Sequence, residues 1–282
     1  MMHFTEIVDT AFSLYRRHFR IFFWLTTFYF VFDILIVIGF HFIGNGKVFD
    51  LMEQITNSLL YTLMCGLMII LASEIYLSQQ ITLRQVIQRF LERIYPYLCC
   101  SIIYVVTLHL PQLLPESETV TSIGLTSISL ILIILVVYIF SGPIIFYLII
   151  NWIFYGPVLM IENTTAMHAF SRSRYLIHGM WWRTFWKVFQ LLIFMLVIYF
   201  IILLSFVILL QLLGFFQSET SFWEVIQKQL RLLITSEYTP TSVTDWITTI
   251  FSTAINAWIT PIYAISITIL YFNHRSQKEN IM

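Results

Sequence analysis

Charge is scarce in this sequence. Asp, Glu, Lys and Arg make up 11% of its 282 residues, where a soluble domain carries about a quarter. The scarcity is also concentrated, since Ile123 to Ile161 runs 39 residues without a charged side chain. A composition of this kind leaves no room for a separate soluble domain. Fifteen basic and fifteen acidic side chains cancel, which removes the basic surface a nucleic-acid partner needs. Cysteine is sparse as well. Cys65, Cys99 and Cys100 fall inside apolar segments without metal-type spacing to histidine, and are read as small buried hydrophobes. Also lacking are a nucleophile elbow, a histidine pair at metal-binding spacing on one helix, a glycine-rich phosphate loop and a cluster of acids able to hold a metal. His3, His18, His41, His109, His168, His178 and His274 are scattered. No catalytic residue, metal or cofactor is indicated, so the sequence points away from an enzyme.

What is present is apolar length. Hydrophobic residues reach 59%, aromatics 17% and the mean hydropathy is +0.84. As a helix the uncharged run would be about 58 Å long, against a hydrocarbon core of roughly 30 Å. The chain is therefore an all-α integral membrane protein, a single membrane domain over 1–282. Six spans are predicted: Ile21 to Ile43, Ile55 to Leu77, Tyr97 to Leu114, Ile123 to about Ile150, Val188 to about Phe215, and Trp246 to Phe272. The first follows Arg16, Arg17 and Arg20 but is too long for a signal peptide and lacks a small-residue cleavage site, so it reads as a retained span.

Basic residues give the orientation. With the N-terminus in the cytoplasm, Arg16, Arg17, Arg20, Arg84, Arg89, Arg93, Arg172, Arg174, Arg183, Lys187, Arg275 and Lys278 lie inside, and only Lys47, Lys228 and Arg231 lie outside. The bias favours both termini in the cytoplasm. It also argues for one bent span within the uncharged run rather than two, with breaks at Gly142-Pro143 and Gly156-Pro157. Trp152 and Tyr155 are expected at the cytoplasmic interface.

Three segments are too polar to cross but carry helical stripes. Leu83, Val86, Ile87, Phe90, Leu91 and Ile94 oppose Arg84, Gln85, Gln88, Arg89 and Glu92. Phe4, Ile7, Val8, Ala11, Tyr15 and Phe19 oppose Glu6, Asp9, Arg16 and Arg17, and Ala166, Phe170, Ser173 and Ile177 form a weaker stripe beside Arg172 and Arg174. These are expected to be amphipathic interfacial helices. Thr5, Thr82 and Thr165 mark their starts, which suggests three repeat-like units, about 1–78, 79–161 and 162–282. Each would be an interfacial helix followed by a two-span helix hairpin, though threonine at a helix start is also ordinary capping chemistry. Outside the membrane, Gly44 to Gln54 and Pro115 to Thr121 are short, net acidic connections. Gln217 to Asp245 carries Phe222, Val225, Ile226, Leu230 and Leu233 at helical spacing and is expected to lie over the outer face.

Two groups of polar residues stand out as candidate sites. Asp33, Glu74 and His109 lie within or near predicted spans. Intramembrane carboxylates suggest a proton or cation path, or else a protonated or hydrogen-bonded acid with Glu74 reaching the interface. Glu162 precedes Arg172 and Arg174 and can pair with either, pinning the third surface helix, or the arginines can meet a lipid headgroup.

Glu6-Ile-Val-Asp-Thr-Ala-Phe-Ser-Leu-Tyr-Arg-Arg-His-Phe19, Gly156-Pro-Val-Leu-Met-Ile-Glu162, Ala169-Phe-Ser-Arg-Ser173 with Gly179 and Trp182-Arg183, and Tyr271-Phe-Asn-His-Arg275 with Lys278-Glu279 occur in order along the chain. Together they resemble the bacterial multi-pass family that includes the membrane domain of glycerophosphoryl diester phosphodiesterases and related inner-membrane proteins. Where that family carries an aspartate after two aromatics, this chain has Asn273. In the fused relatives a separate soluble domain performs the phosphodiester chemistry, so the resemblance implies a fold without an activity. The expected function is a non-enzymatic interaction, regulatory or lipid-contacting module whose partners are membrane lipids and a further membrane or cytoplasmic protein. The alternative is a small proton- or cation-coupled transporter using Asp33, Glu74 and His109.

Overall fold

The structure, a computed structural model, describes residues 2–43, 47–77, 82–109, 142–214, 227 and 243–279. These residues form α1 (Phe4–Arg17), α2 (Phe19–Ile43), α3 (Lys47–Tyr76), α4 (Leu83–His109), α5 (142–151), α6 (Tyr155–Glu162), α7 (Ala166–Ile177), α8 (Trp181–Leu212) and α9 (Val243–Glu279). Six stretches are long and apolar enough to span a membrane: Phe19–Phe40, Leu51–Tyr76, Leu83–Thr107, Gly142–Glu162, Trp181–Leu212 and Asp245–Glu279. The chain is a multi-pass membrane protein, and its described residues form helices without a strand. The expected helix over Gln217 to Asp245, and most of the uncharged run before Gly142, lie outside the described residues.

The most buried of the six spans is α9. Its 37 residues make a rod about 55 Å long, which overshoots a roughly 30 Å hydrocarbon core. It packs on α1, α2, α3 and α8. Small and hydroxyl side chains make this possible. Ser252, Ala257, Thr260, Ala264, Ser266 and Thr268 are all buried, and small residues let helix backbones approach where lipid offers no hydrophobic drive for association. The hydroxyls of Thr260 and Thr268 donate to the carbonyls of Asn256 and Ala264, one turn back, so burying them leaves no unmet donor. By contrast α2 and α8 expose large apolar side chains, among them Trp24, Phe28, Leu35, Trp186, Leu192 and Ile201. Such bands suit lipid rather than water.

The amphipathic segments take two forms. α1 and α7 are separate short helices, and each buries the predicted face, Ile7 and Ala11 in one and Phe170, Ser173 and Ile177 in the other. The segment from Leu83 to Ile94 instead continues through Pro96 into the span as one helix, α4. Helix starts also differ from the repeated threonine. Thr82 and Thr165 immediately precede α4 and α7, whereas Thr5 lies one residue inside α1, which begins after His3. In α1 and α4 the same device closes the first turn. The backbone N–H of His3 donates to Glu6 Oε2 at 2.8 Å, and that of Thr82 donates to Gln85 Oε1 at 2.9 Å.

Two turns bring the polar elements together. Asn163 takes φ 54° after α6, a left-handed conformation that asparagine tolerates better than most residues. Gly179, at φ 81°, turns the chain from α7 into α8.

One aromatic expectation is corrected by packing, that for Tyr155, while Trp152 is half-buried. Tyr155 lies in the core, stacked on Tyr97 with ring centroids 5.9 Å apart, rather than at an interface, and Trp152 packs on Phe170 at 4.7 Å. The cysteines are free, with Cys65 and Cys100 buried and Cys99 half-buried.

Candidate functional site

The fourth span is broken where proline requires it. Pro157 has no N–H to offer the carbonyl four residues back, at Ile153, and its ring crowds that carbonyl. The chain accordingly leaves helical geometry at 152–154, between α5 and α6. Ser173 of α7 repairs the gap. Its hydroxyl donates to the Asn151 carbonyl at 2.7 Å and accepts from the Phe154 N–H at 3.2 Å. A single side chain thereby satisfies two backbone groups that would otherwise be orphaned in an apolar interior.

The same helix places Arg172 beside Glu162, the last residue of α6. Arg172 Nε lies 3.0 Å from Glu162 Oε2 and 3.3 Å from Oε1. Arg172 also pairs with Glu279 near the end of α9. Glu279 accepts from Arg275 Nε at 2.9 Å, and the Tyr271 hydroxyl donates to Glu162 Oε1 at 2.6 Å. With Arg275 Nη1 donating to the Tyr271 hydroxyl at 3.4 Å, two carboxylates, two guanidinium groups and one phenol form a closed ring that ties α6, α7 and α9 together. It is neutral and partly buried, a geometry that fixes position more than it adds net stability. Arg174 is exposed on α7, outside this ring.

Further contacts fasten the same end of the bundle. Glu74 pairs with Arg89 and so joins α3 to the amphipathic part of α4. Its second oxygen, Oε2, is buried without a hydrogen-bond partner among the described residues. Arg93 donates to the Met160 carbonyl in the last turn of α6, where cations are favoured. Lys187 of α8 donates to the Met2 carbonyl at 2.9 Å. His274 is fully buried, with Nδ1 2.9 Å from the Leu270 carbonyl and Nε2 2.8 Å from the Thr184 hydroxyl. A carbonyl can only accept, so Nδ1 carries the proton, while the Thr184 hydroxyl lies between Nε2 and the Met180 carbonyl, 3.0 Å away. That contact joins α8 to α9.

The intramembrane candidates do not share one place. Asp33 is buried on α2, one turn beyond Tyr29, whose ring meets Tyr61 of α3 at 6.5 Å. Tyr61 is itself about 20 Å from Glu74 along α3. His109 closes α4, and its side chain lies outside the described residues. Among the described residues no group of His, Cys, Asp and Glu could hold a metal ion.

Of the sequence-predicted residues, the structure joins Glu162 to Arg172 and gives Glu74 the partner Arg89. Sequence reasoning missed Tyr271, Arg275 and Glu279 as members of the ring, although their spacing of four puts them on one helical face. It also missed the bridging role of Ser173, for which no local signal exists. No family model, no curated protein and no solved structure matches the chain.

Proposed function

We propose that this chain is a non-enzymatic multi-pass protein of a bacterial inner membrane, with both termini cytoplasmic, that serves as a lipid-contacting interaction or regulatory module. Its working surface is the end of the bundle formed by α1, the first turns of α4, α7 and the end of α9. One observation carries the reading. Glu74, Glu162 and Glu279 are engaged by arginines within the fold, while Arg16, Arg17, Arg20, Arg84, Arg174 and Arg183 are exposed at that end. Exposed Ile87 and Leu91 lie beside Arg84 on α4, so apolar and cationic groups meet on one surface. That combination suits the boundary between acyl chains and anionic headgroups. A cation- or proton-coupled transporter is less well supported, because Arg89 already engages Glu74 and Asp33 lies on another helix, one turn from Tyr29, whose partner Tyr61 is about 20 Å along α3 from Glu74.

The motif residues that resemble the phosphodiesterase-linked membrane family have structural explanations here: Pro157 in the break, Ser173 in its repair, Gly179 in a turn, and Glu162, Arg172, Tyr271, Arg275 and Glu279 in the ring. This supports, as a proposal, membership of that family as a fold without an activity.

Lipid selectivity tests the reading. The protein is released from mixed phosphatidylethanolamine and phosphatidylglycerol nanodiscs, and its retained lipids are weighed by native mass spectrometry. Each surface arginine contributes about 1 kcal/mol towards an anionic leaflet. Anionic adducts are expected in excess, and the excess should fall at least tenfold when Arg16, Arg17, Arg20, Arg84 and Arg174 are changed together to glutamine. Equal retention of both lipids, or no response to the substitutions, overturns the reading.

A further inference from the structure

A cavity of about 100 Å³ lies inside the bundle among α3, α4, α6 and α9. Five of the chain's fifteen tyrosines face it, Tyr61, Tyr97, Tyr104, Tyr155 and Tyr263, drawn from all four helices. The broken fourth span supplies one wall through Ile153, Tyr155 and Pro157. Interrupted spans are where membrane proteins commonly build binding sites, because irregular backbone is tolerated there only if it borders a cavity or packed protein.

We propose that this cavity is a binding site for a small neutral molecule carrying an acceptor oxygen, a ketone or alcohol of about four non-hydrogen atoms or fewer. Size sets the upper limit, since an engineered cavity of about 150 Å³ takes one benzene. Charge sets the class. None of the lining side chains is charged, so a bound ion would lie in a low-dielectric interior without a counter-charge, at a steep desolvation cost. The hydroxyls select for oxygen. Tyr97 is committed, donating to the Thr62 carbonyl at 2.6 Å. Tyr104 and Tyr263 are half-buried and line the cavity, and their hydroxyls make no hydrogen bond among the described residues. A hydroxyl that opens on the cavity is free to donate to a guest, and one carbonyl oxygen has lone pairs for two donors. The phenol faces, with Ile69 and Ile267, enclose the apolar body of the guest.

Saturation-transfer NMR on the full chain in detergent, with acetone as the probe, tests this. Transfer to acetone is expected to exceed that to isobutane or methylammonium. Changing both tyrosines, Tyr104→Phe with Tyr263→Phe, keeps ring volume and removes only the two oxygens. It should weaken acetone at least tenfold and leave isobutane unchanged. Ala264→Leu, which fills the cavity, should abolish transfer, and should it not fold, the double phenylalanine variant decides alone. Acetone held no better than isobutane, or unaffected by loss of both hydroxyls, overturns the site. Methylammonium bound more tightly than acetone also overturns it, in favour of a cation cage.

Discussion

Arg172→Ala is expected to cost about 3 kcal/mol of stability, the largest loss for any one side chain in the polar ring. Arg172 joins Glu162 and Glu279, and all three side chains are between 12% and 21% exposed. Deleting the cation leaves two carboxylates facing one another with only Tyr271 and Arg275 to balance them. The cost is dominated by stranded charge rather than by the lost bonds. A second substitution that removes one charge, Glu279→Gln in the Arg172→Ala background, should therefore recover part of the loss instead of adding to it. Arg172→Lys keeps the charge but cannot span both acids with a planar fork, so it should fall between the wild type and alanine. Unfolding by SDS titration, followed by tryptophan fluorescence, measures all four proteins. A loss under about 1 kcal/mol for alanine would place this ring with surface ion pairs, whose median worth is about that or less.

Gly66→Leu is expected to be comparably damaging, for a steric reason. A Cβ at Gly66 would lie 2.8 Å from the ring atoms Cε1 and Cζ of Tyr97 and 3.0 Å from Phe90 Cε2. The Tyr97 ring has no easy retreat. Its hydroxyl is bonded to Thr62 of the same helix as Gly66, one face stacks on Tyr155, and its side chain is 1% exposed. Gly66→Ala should cost about 1–3 kcal/mol by overpacking, and leucine more. Tyr97→Leu in the Gly66→Ala background relieves the clash, so the pair should be less than additive. The same SDS titration reads this, and strict additivity would show that the glycine is not there to admit the ring.

How much of this could be read from the sequence follows from which forces are local. Hydropathy over twenty residues is a local sum, so six spans and an all-helical fold are legible. Boundaries are less so. The polar stretch from Leu83 to Ile94 suggests a separate surface helix, yet α4 runs on through Pro96 as one helix, which membrane helices tolerate. Tyr155 shows the limit of reading amphipathic rings. A phenol beside a predicted boundary suits an interface, but Tyr97 and Tyr104 stack against it and hold it inside. The pairing of Glu162 with Arg172 was accessible from proximity and charge. The cavity was not, because its tyrosines are spread from Tyr61 to Tyr263 and only packing assembles them.

The measurement that bears most directly on the account is aqueous accessibility of single cysteines at Asp33 and Glu74, with Cys65, Cys99 and Cys100 replaced. The chain is kept in intact inner-membrane vesicles whose cytoplasmic face is outward, and Arg17→Cys serves as the exposed control. A lipid-contacting module with paired or buried acids predicts that a membrane-impermeant thiol reagent labels position 17 and leaves 33 and 74 unmodified. Labelling at both acid positions would reveal a water path through the bundle and contradict the account in favour of a transporter.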